Sequence, residues 1–404
     1  MKSRVTQPVR QRRRRPTGET GWSDVRRKKS GAAYFDYNLL IVVIFLVCFG
    51  LVMLYSSSSY SAQIKFGDDM FYLKRQALVT VGSFFAMYVV SRIDYHIYAK
   101  WAWPVYWIAM FLMALVRFSP LGVESYGSRR WLQMPFNMTL QPSEIMKIAI
   151  ILLIPYLLCE MGKQAYSLKG IAKVAVWGIF AFVGVYYFTD NLSTALIVLL
   201  ITCIMIFVVH PKTAPFLVLG GGGIAALMII LQIMAANVQN TTNFRLRRIL
   251  AWLKPDQYAT EESHQVTQAL YAIGSGGFFG KGLGNSSQKM IIPEAQNDMI
   301  LSVICEELGV FGVIVVLLLF GFLLYRLVFI ARNAPDIYGS LIATGIFAHI
   351  ALQVILNIGV VTRILPTTGI TLPFISYGGT SILFLMAEMG IALGISTKIK
   401  INDE

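Results

Sequence analysis

Apolar runs recur along this chain at the length a bilayer demands, and they decide its fold class. They fall at about 37–57, 77–91, 101–117, 144–160, 171–188, 192–210, 214–236, 299–329, 339–361 and 378–396. Crossing roughly 30 Å of hydrocarbon takes about 20 helical residues, so about ten transmembrane helices are expected. Only 14% of the residues are charged and 56% are hydrophobic, whereas a soluble domain carries about 25% charged residues. In lipid the spanning segment must satisfy its own backbone amides, which leaves helices and closed barrels. The short alternating segments of a barrel are absent. The expectation is an all-α polytopic membrane protein.

The formal net charge of +14 is mostly an end effect. Residues 1–36 contain Arg12 to Arg15 and Arg26 to Lys29 with little to bury, and read as a disordered basic tail. Basic residues before a first span hold that end in the cytosol and touch anionic lipid; no nucleic-acid partner is expected. The first apolar run is too long for a signal-peptide core and more spans follow, so it reads as an uncleaved helix. Ten spans return the C-terminus to the cytosol and put Lys163, Lys169, Lys173, Lys212, Arg326 and Arg332 on that side. The chain divides into the tail 1–36, a membrane domain 37–397 and a cytoplasmic tail 398–404. Cys48, Cys159, Cys203 and Cys305 all lie in apolar segments, lack CxxC spacing and are expected as buried free thiols.

Two connections then fall outside the membrane. The first, 118–143, ends in Gln141-Pro142-Ser143-Glu144, where Ser143 is placed as a helix N-cap and Glu144 suits the first turn. The second, 237–298, is a large extracellular loop between the seventh and eighth spans, and a loop this long is expected to fold. Phe244, Leu246, Ile249, Leu250 and Leu253 alternate with Arg245, Arg247 and Arg248 as in an amphipathic surface helix. A second helix is expected from Glu262 to Ile273, ended by Gly274 and Gly276.

Asp298 stands at the mouth of the eighth span, behind Lys281, Gln288, Lys289 and Glu294. Ionisable groups at membrane depth are costly and functional by default, so Asp298 is a catalyst, an ion ligand or a helix cap. Ser302, Cys305 and Gly309 continue its face. Glu306 and Glu307 lie deeper, where two carboxylates are expected to raise one another's pKa. The glycines from Gly274 to Gly284 offer N–H groups to a phosphate, without Walker A spacing. Glu144 and Lys147 are placed to pair within the fourth span. Asp190 reads as the N-cap of the sixth span, and His210 as structural. Pro366 to Ser381 breaks the helix before the last span, and such backbone survives only packed in protein or lining a polar cavity.

The motifs GSRRWL with QPSEIMK, AIGSGGFFGKGLGNSSQK with PEAQND and EELG, and NIGVV with LPTTGITLPFISYGGTS together resemble the SEDS family (shape, elongation, division, sporulation) of peptidoglycan glycosyltransferases. The match covers about 37–397, and its opening is similar to the FtsW-type division branch more than to the RodA-type elongation branch. Thr189-Asp190-Asn191-Leu192-Ser193-Thr194 departs from the family's box by lacking its Pro and Gly, and Arg363 and His264 also depart.

The resemblance implies polymerisation of lipid II into β-1,4 glycan strands at the outer face of the cytoplasmic membrane, with inversion. Asp298 is then the general base. Lys147, Arg129, Arg130, Arg248, Lys281 and Lys289 are candidates to face the pyrophosphate, and Glu144, Gln288, Glu294, Ser376 and Thr380 are further substrate contacts. A divalent cation (Mg or Mn) could assist. A class B penicillin-binding protein and other division proteins are the implied partners, at the septum. The alternatives are a lipid II flippase and an elongation or sporulation polymerase.

Overall fold

The computed structural model describes residues 34–125, 128–134, 138–211, scattered positions between 214 and 233, 244–253 and 261–400. The basic tail up to residue 33, Lys212, most of the expected seventh span and residues 401–404 lie outside them. The helices are α1 (Tyr37–Phe66), α2 (Phe71–Arg92), α3 (His96–Phe118), α4 (Pro142–Met161), α5 (Leu168–Thr189) and α6 (Leu192–Val209). After the expected seventh span come α7 (Phe244–Leu253), α8 (Glu261–Gly276), α9 (Ile300–Asn333), α10 (Ile337–Val361) and α11 (Ser381–Ser396). Among the described residues seven helices are long and apolar enough to cross a membrane: α1, α3, α4, α5, α6, α9 and α10. The chain is thus a multi-pass membrane protein, although ten spans are not counted. α2 carries Lys74 and Arg75 near its start, and α11 has only 16 residues, yet these two pack closely on each other.

The helices outrun the hydrophobic stretches that announce them. α1 continues through Ser56–Tyr60 to Phe66 and stops where Gly67 takes φ 71, a left-handed cap that costs glycine little. Between α3 and α4 the expected loop contains a small antiparallel sheet, β1 (Gly122–Ser125), β2 (Ser128–Met134) and β3 (Met138–Leu140), in the order β1-β2-β3. Trp131 opposite Val123 and Leu132 opposite Leu140 are the apolar pairs that favour it. Helix periodicity had no way of showing strands this short.

Two capping assignments shift by a residue or two. α4 starts at Pro142 after Gln141, so Ser143 lies inside the first turn and its Oγ accepts from Gln141 Nε2 at 3.0 Å. α6 is capped by Asn191, whose side chain accepts from Thr194 N–H at 3.1 Å, while Asp190 takes φ 49 at the end of α5. His210 ends α6 near the Tyr166 carbonyl, as a structural residue should. α7 and α8 form as expected, α8 running on through Gly274 to Gly276. Cys305 is buried, but Cys48, Cys159 and Cys203 are exposed on the outside of the bundle, so three of the four thiols face away from the core.

The two ends of the bundle are distinguishable. At one end Arg326 of α9 donates from Nη2 to Asp36 Oδ2 at 2.8 Å, and Asp36 also caps α1 through Leu39 N–H. Asp36 N–H donates to Ser396 of α11, and Tyr34 N–H to the Ile399 carbonyl. The start and finish of the membrane domain therefore meet on the basic-tail side. Asp36 is fully buried, and removing one partner of a buried pair costs about 3–5 kcal/mol. Arg326→Met should lower stability by about that much, read as the thermal midpoint in detergent; an unchanged midpoint would remove the pair from the set of stabilising contacts.

Candidate active site

Asp298 lies at the opposite end, two residues before α9 begins at Ile300. Asn357 on α10 donates from Nδ2 to the Asp298 backbone carbonyl and to the Ile370 carbonyl, each at 2.8 Å. One buried amide thereby fixes the acid against the irregular segment that precedes α11. Gln265 of α8 reaches Asp298 Oδ1 at 3.4 Å. The residue is half-buried, and burial holds its carboxyl above the usual carboxylate range; Glu294 adds to the rise, while its own backbone N–H, the Arg248 guanidinium and Gln265 oppose it. Helix capping does not occupy the side chain: Met299 is the cap residue of α9, and no side-chain cap bond is made there. A carboxylate that is held by its backbone, and raised yet not consumed, can accept a proton.

A cleft beside it is lined by Arg248, Ala251, Trp252, Val266, Arg363, Leu365 and Thr367, with Trp252 Nε1 donating to the Arg363 carbonyl at 3.0 Å. Arg363 adopts φ 60 there. α4 packs against α10, and its first two turns carry Glu144 and Lys147, paired at 2.9 Å and both buried. β2 presents Arg129, exposed and 3.8 Å from Glu124, and the half-buried Arg130. Glu294 takes φ 49, accepts from Asn297 Nδ2 at 2.6 Å and lies 3.6 Å from Lys65 at the end of α1.

Lys281 and Lys289 are placed differently from the expectation that they face a pyrophosphate. Lys281 Nζ is 2.6 Å from Glu306, and Lys289 Nζ is 3.3 Å from Glu307. Ser56 of α1, at 2.7 Å, and Ser286 N–H, at 3.3 Å, also donate to Glu307, while the N–H groups of Ser287 and Gln288 donate to Glu306, each at 3.2 Å. The two carboxylates therefore do not lean on each other; each has its own ammonium group and backbone donors. Their charge is matched inside the protein, so both lysines act first as tethers for the loop.

The glycine segment is likewise spent on the fold. α9 is broken at Gly309 (φ 68, ψ −167), and the freed groups close on the loop: Lys281 and Gly282 N–H donate to the Glu306 and Glu307 carbonyls at 2.9 Å. A Cβ at Gly276 would stand 2.0 Å from the Cys305 carbonyl oxygen, and one at Gly280 2.2 Å from that of Glu307. Cys305 and Gly309 thus form a close-packing seam against α8 and its loop, while the Ser302 hydroxyl donates to the Met299 carbonyl at 2.7 Å. Ser376 Oγ accepts from Leu372 N–H at 2.8 Å, and Thr380 Oγ1 donates to the Thr139 carbonyl at 3.0 Å, so both hydroxyls hold the irregular segment together.

Asn357, Gln265 and Ser56 were not singled out from sequence. A lone amide in an apolar helix is the signal that could have found Asn357. Among the described residues no group of three or more His, Cys, Asp or Glu side chains is placed to hold a metal ion.

These features define a multi-pass membrane protein with a carboxylate-centred site, acted on by Arg248, at the end opposite the Asp36–Arg326 pair. The chain belongs to the FtsW/RodA/SpoVE family: the family model, described as cell cycle protein, matches residues 37–401. It is 37% identical over 373 residues to a probable peptidoglycan glycosyltransferase FtsW of Geobacter sp. (strain M18), covering 91% of this chain and 98% of that one. It is also 37% identical over 362 residues to the stage V sporulation protein E of Bacillus subtilis, covering 89% and 96%. A chain from a solved peptidoglycan synthase complex, described for its coordination of polymerization and crosslinking, matches with TM-score 0.74 at 24% identity, over 90% of this chain and 97% of that one. The rod shape determining protein RodA of Thermus thermophilus matches with TM-score 0.62 at 24% identity, over 91% and 98%. Both likenesses speak to the fold.

Proposed function

We propose that this protein is a peptidoglycan glycosyltransferase that polymerises lipid II into β-1,4 glycan strands at the outer face of the cytoplasmic membrane during cell division. The observation that carries the reading is Asp298, held at its backbone by Asn357, with Gln265 on its carboxylate and, among the described residues, no ion pair or cap bond engaging it. Asp298 takes the proton of the acceptor's C4 hydroxyl as that oxygen bonds to C1 of the donor MurNAc. The bond from C1 to the polyprenyl pyrophosphate breaks on the opposite face, so the α-linked donor becomes a β-linkage. Positive groups stabilise the departing charge, and Arg248, which already acts on Asp298, leads that set, followed by Arg129 and Arg130, while Lys147 is matched by Glu144. Lys281 and Lys289, with Gln288, hold the loop in place. Mg2+ or Mn2+ would have to travel on the pyrophosphate itself, and no step is taken through it.

Residues 37–397 are proposed as the catalytic unit, with 237–298 as its outer loop, working at the septum. A class B penicillin-binding protein that crosslinks the new strands is the proposed partner, alongside other division proteins. The similarity to a sporulation protein at the same identity supports a sporulation polymerase as the second reading.

The test is purified protein in vesicles with lipid II confined to the outer leaflet. Glycan strands on a gel support polymerisation; strictly monomeric lipid II, with the partner present, overturns it and returns the flippase reading. The same assay run against pH checks the base. Because burial raises the Asp298 carboxyl, the rate should climb with pH through a value above the ordinary carboxylate range, since only the ionised form accepts a proton. The stability effect has the opposite sign: the folded state holds this proton more tightly, so its favourable contribution is present at low pH and fades as pH rises through the folded value. An acid limb at the position of a free aspartate would reject Asp298 as the group titrating.

A further inference from the structure

The loop Gly277–Gly284 has one polar side and one apolar side. Its polar side is closed: the Gly277 and Phe278 carbonyls accept from Val310 and Phe311 N–H at 3.0 and 3.1 Å, and Lys281 is bound to Glu306. On the other side Phe278 is 57% exposed, Phe279 78% and Leu283 54%, with the two rings 4.9 Å apart. The adjoining surface of α9, Val310 and Phe311, is exposed as well, and it continues to Leu318 in the body of the span.

The depth of this patch follows from the buried pair at the other end. Asp36 and Arg326 mark the level where the apolar run of α1 begins. At roughly 1.5 Å per residue, Gly309 lies about 26 Å further out along α9, and Ser56 about 30 Å further along α1. Ser56 is bonded to Glu307, two residues before the break, so the two counts agree on one level. That level is the outer edge of a hydrocarbon layer about 30 Å thick. Irregular backbone at such a depth persists only when its amides are closed by protein, and here those amides close on the broken helix.

We propose that Gly277–Gly284 is a membrane wedge, in which Phe278, Phe279 and Leu283 insert among the acyl chains of the outer leaflet. The wedge fixes the depth of the Lys281–Glu306 and Lys289–Glu307 pairs, and through them the approach of the loop to α9. It stands or falls independently of the proposed reaction. The experiment places a photoreactive benzoyl-phenylalanine in place of Phe279 in the full-length protein, reconstituted in phosphatidylethanolamine–phosphatidylglycerol vesicles. Leu318 in the span and His264 at the exposed start of α8 carry the same probe as controls. After irradiation, mass spectrometry should find acyl-chain adducts at position 279 at roughly half the Leu318 yield or more. A yield below that mark, with the Leu318 control positive, overturns the wedge. Position 283 is probed in parallel, so that a single misfolded variant does not decide the outcome.

Discussion

Asp298→Asn should abolish glycan-strand synthesis and leave the protein folded. The amide keeps the size of the side chain and its contact with Gln265, and the Asn357 hydrogen bond goes to the backbone, which is untouched. Only the ability to take a proton is lost. General-base catalysis contributes about 10²–10⁴-fold, so a gel assay should show strands falling at least into that range. The thermal midpoint should hold or rise, because a half-buried carboxylate has been replaced by a neutral group. A folded variant that polymerises at the parental rate sinks the assignment of the base. Asn357→Ala is the useful companion: it frees the Asp298 and Ile370 carbonyls together, and should slow the reaction while retaining its pH dependence.

Gly309→Ala should damage both the fold and the activity of the protein. The residue has φ 68, and its added Cβ would stand 2.3 Å from the Phe278 carbonyl and 2.4 Å from Gly280 N. A non-glycine residue in such a conformation costs roughly 1–3 kcal/mol, and overpacking against backbone adds about 1–3 kcal/mol more. Relief requires the loop to leave α9, which breaks its hydrogen bonds to Val310 and Phe311 and draws Lys281 from Glu306. The expected result is a thermal midpoint lower by several degrees, with activity lost in whatever folds. Gly321→Ala is the control, since nothing lies within 4 Å of a Cβ there. Equal stability of the two variants would mean that the break in α9 is not clasped in the way described.

The membrane class was legible because it rests on run length, which tertiary packing cannot disguise. Asp298 and the Glu144–Lys147 pair were legible for a related reason: charge in apolar surroundings has few bland explanations. Lys281 and Lys289 read as ligand contacts because their partners, Glu306 and Glu307, are supplied by the next helix, just before it breaks at Gly309. Nothing in the local pattern announced that break, since Gly309 sits among residues that otherwise continue a helix. The small sheet stayed hidden because its strands are shorter than any periodicity can register. The thiols show the reverse error: an apolar segment says that a residue is in the membrane, not whether it faces protein or lipid, and Cys48, Cys159 and Cys203 turn outward.

The ion pair between Asp36 and Arg326 also bears on how the chain is made. Asp36 enters the bilayer with the first helix, but Arg326 and Ser396 belong to helices synthesised near the end. Through most of translation the first helix therefore carries a carboxylate whose cation does not yet exist. Its seat in the bundle stays provisional until the ribosome has almost finished. Quality control that samples unassembled helices has a long interval in which to act on this chain, and the closing of one ion pair ends it.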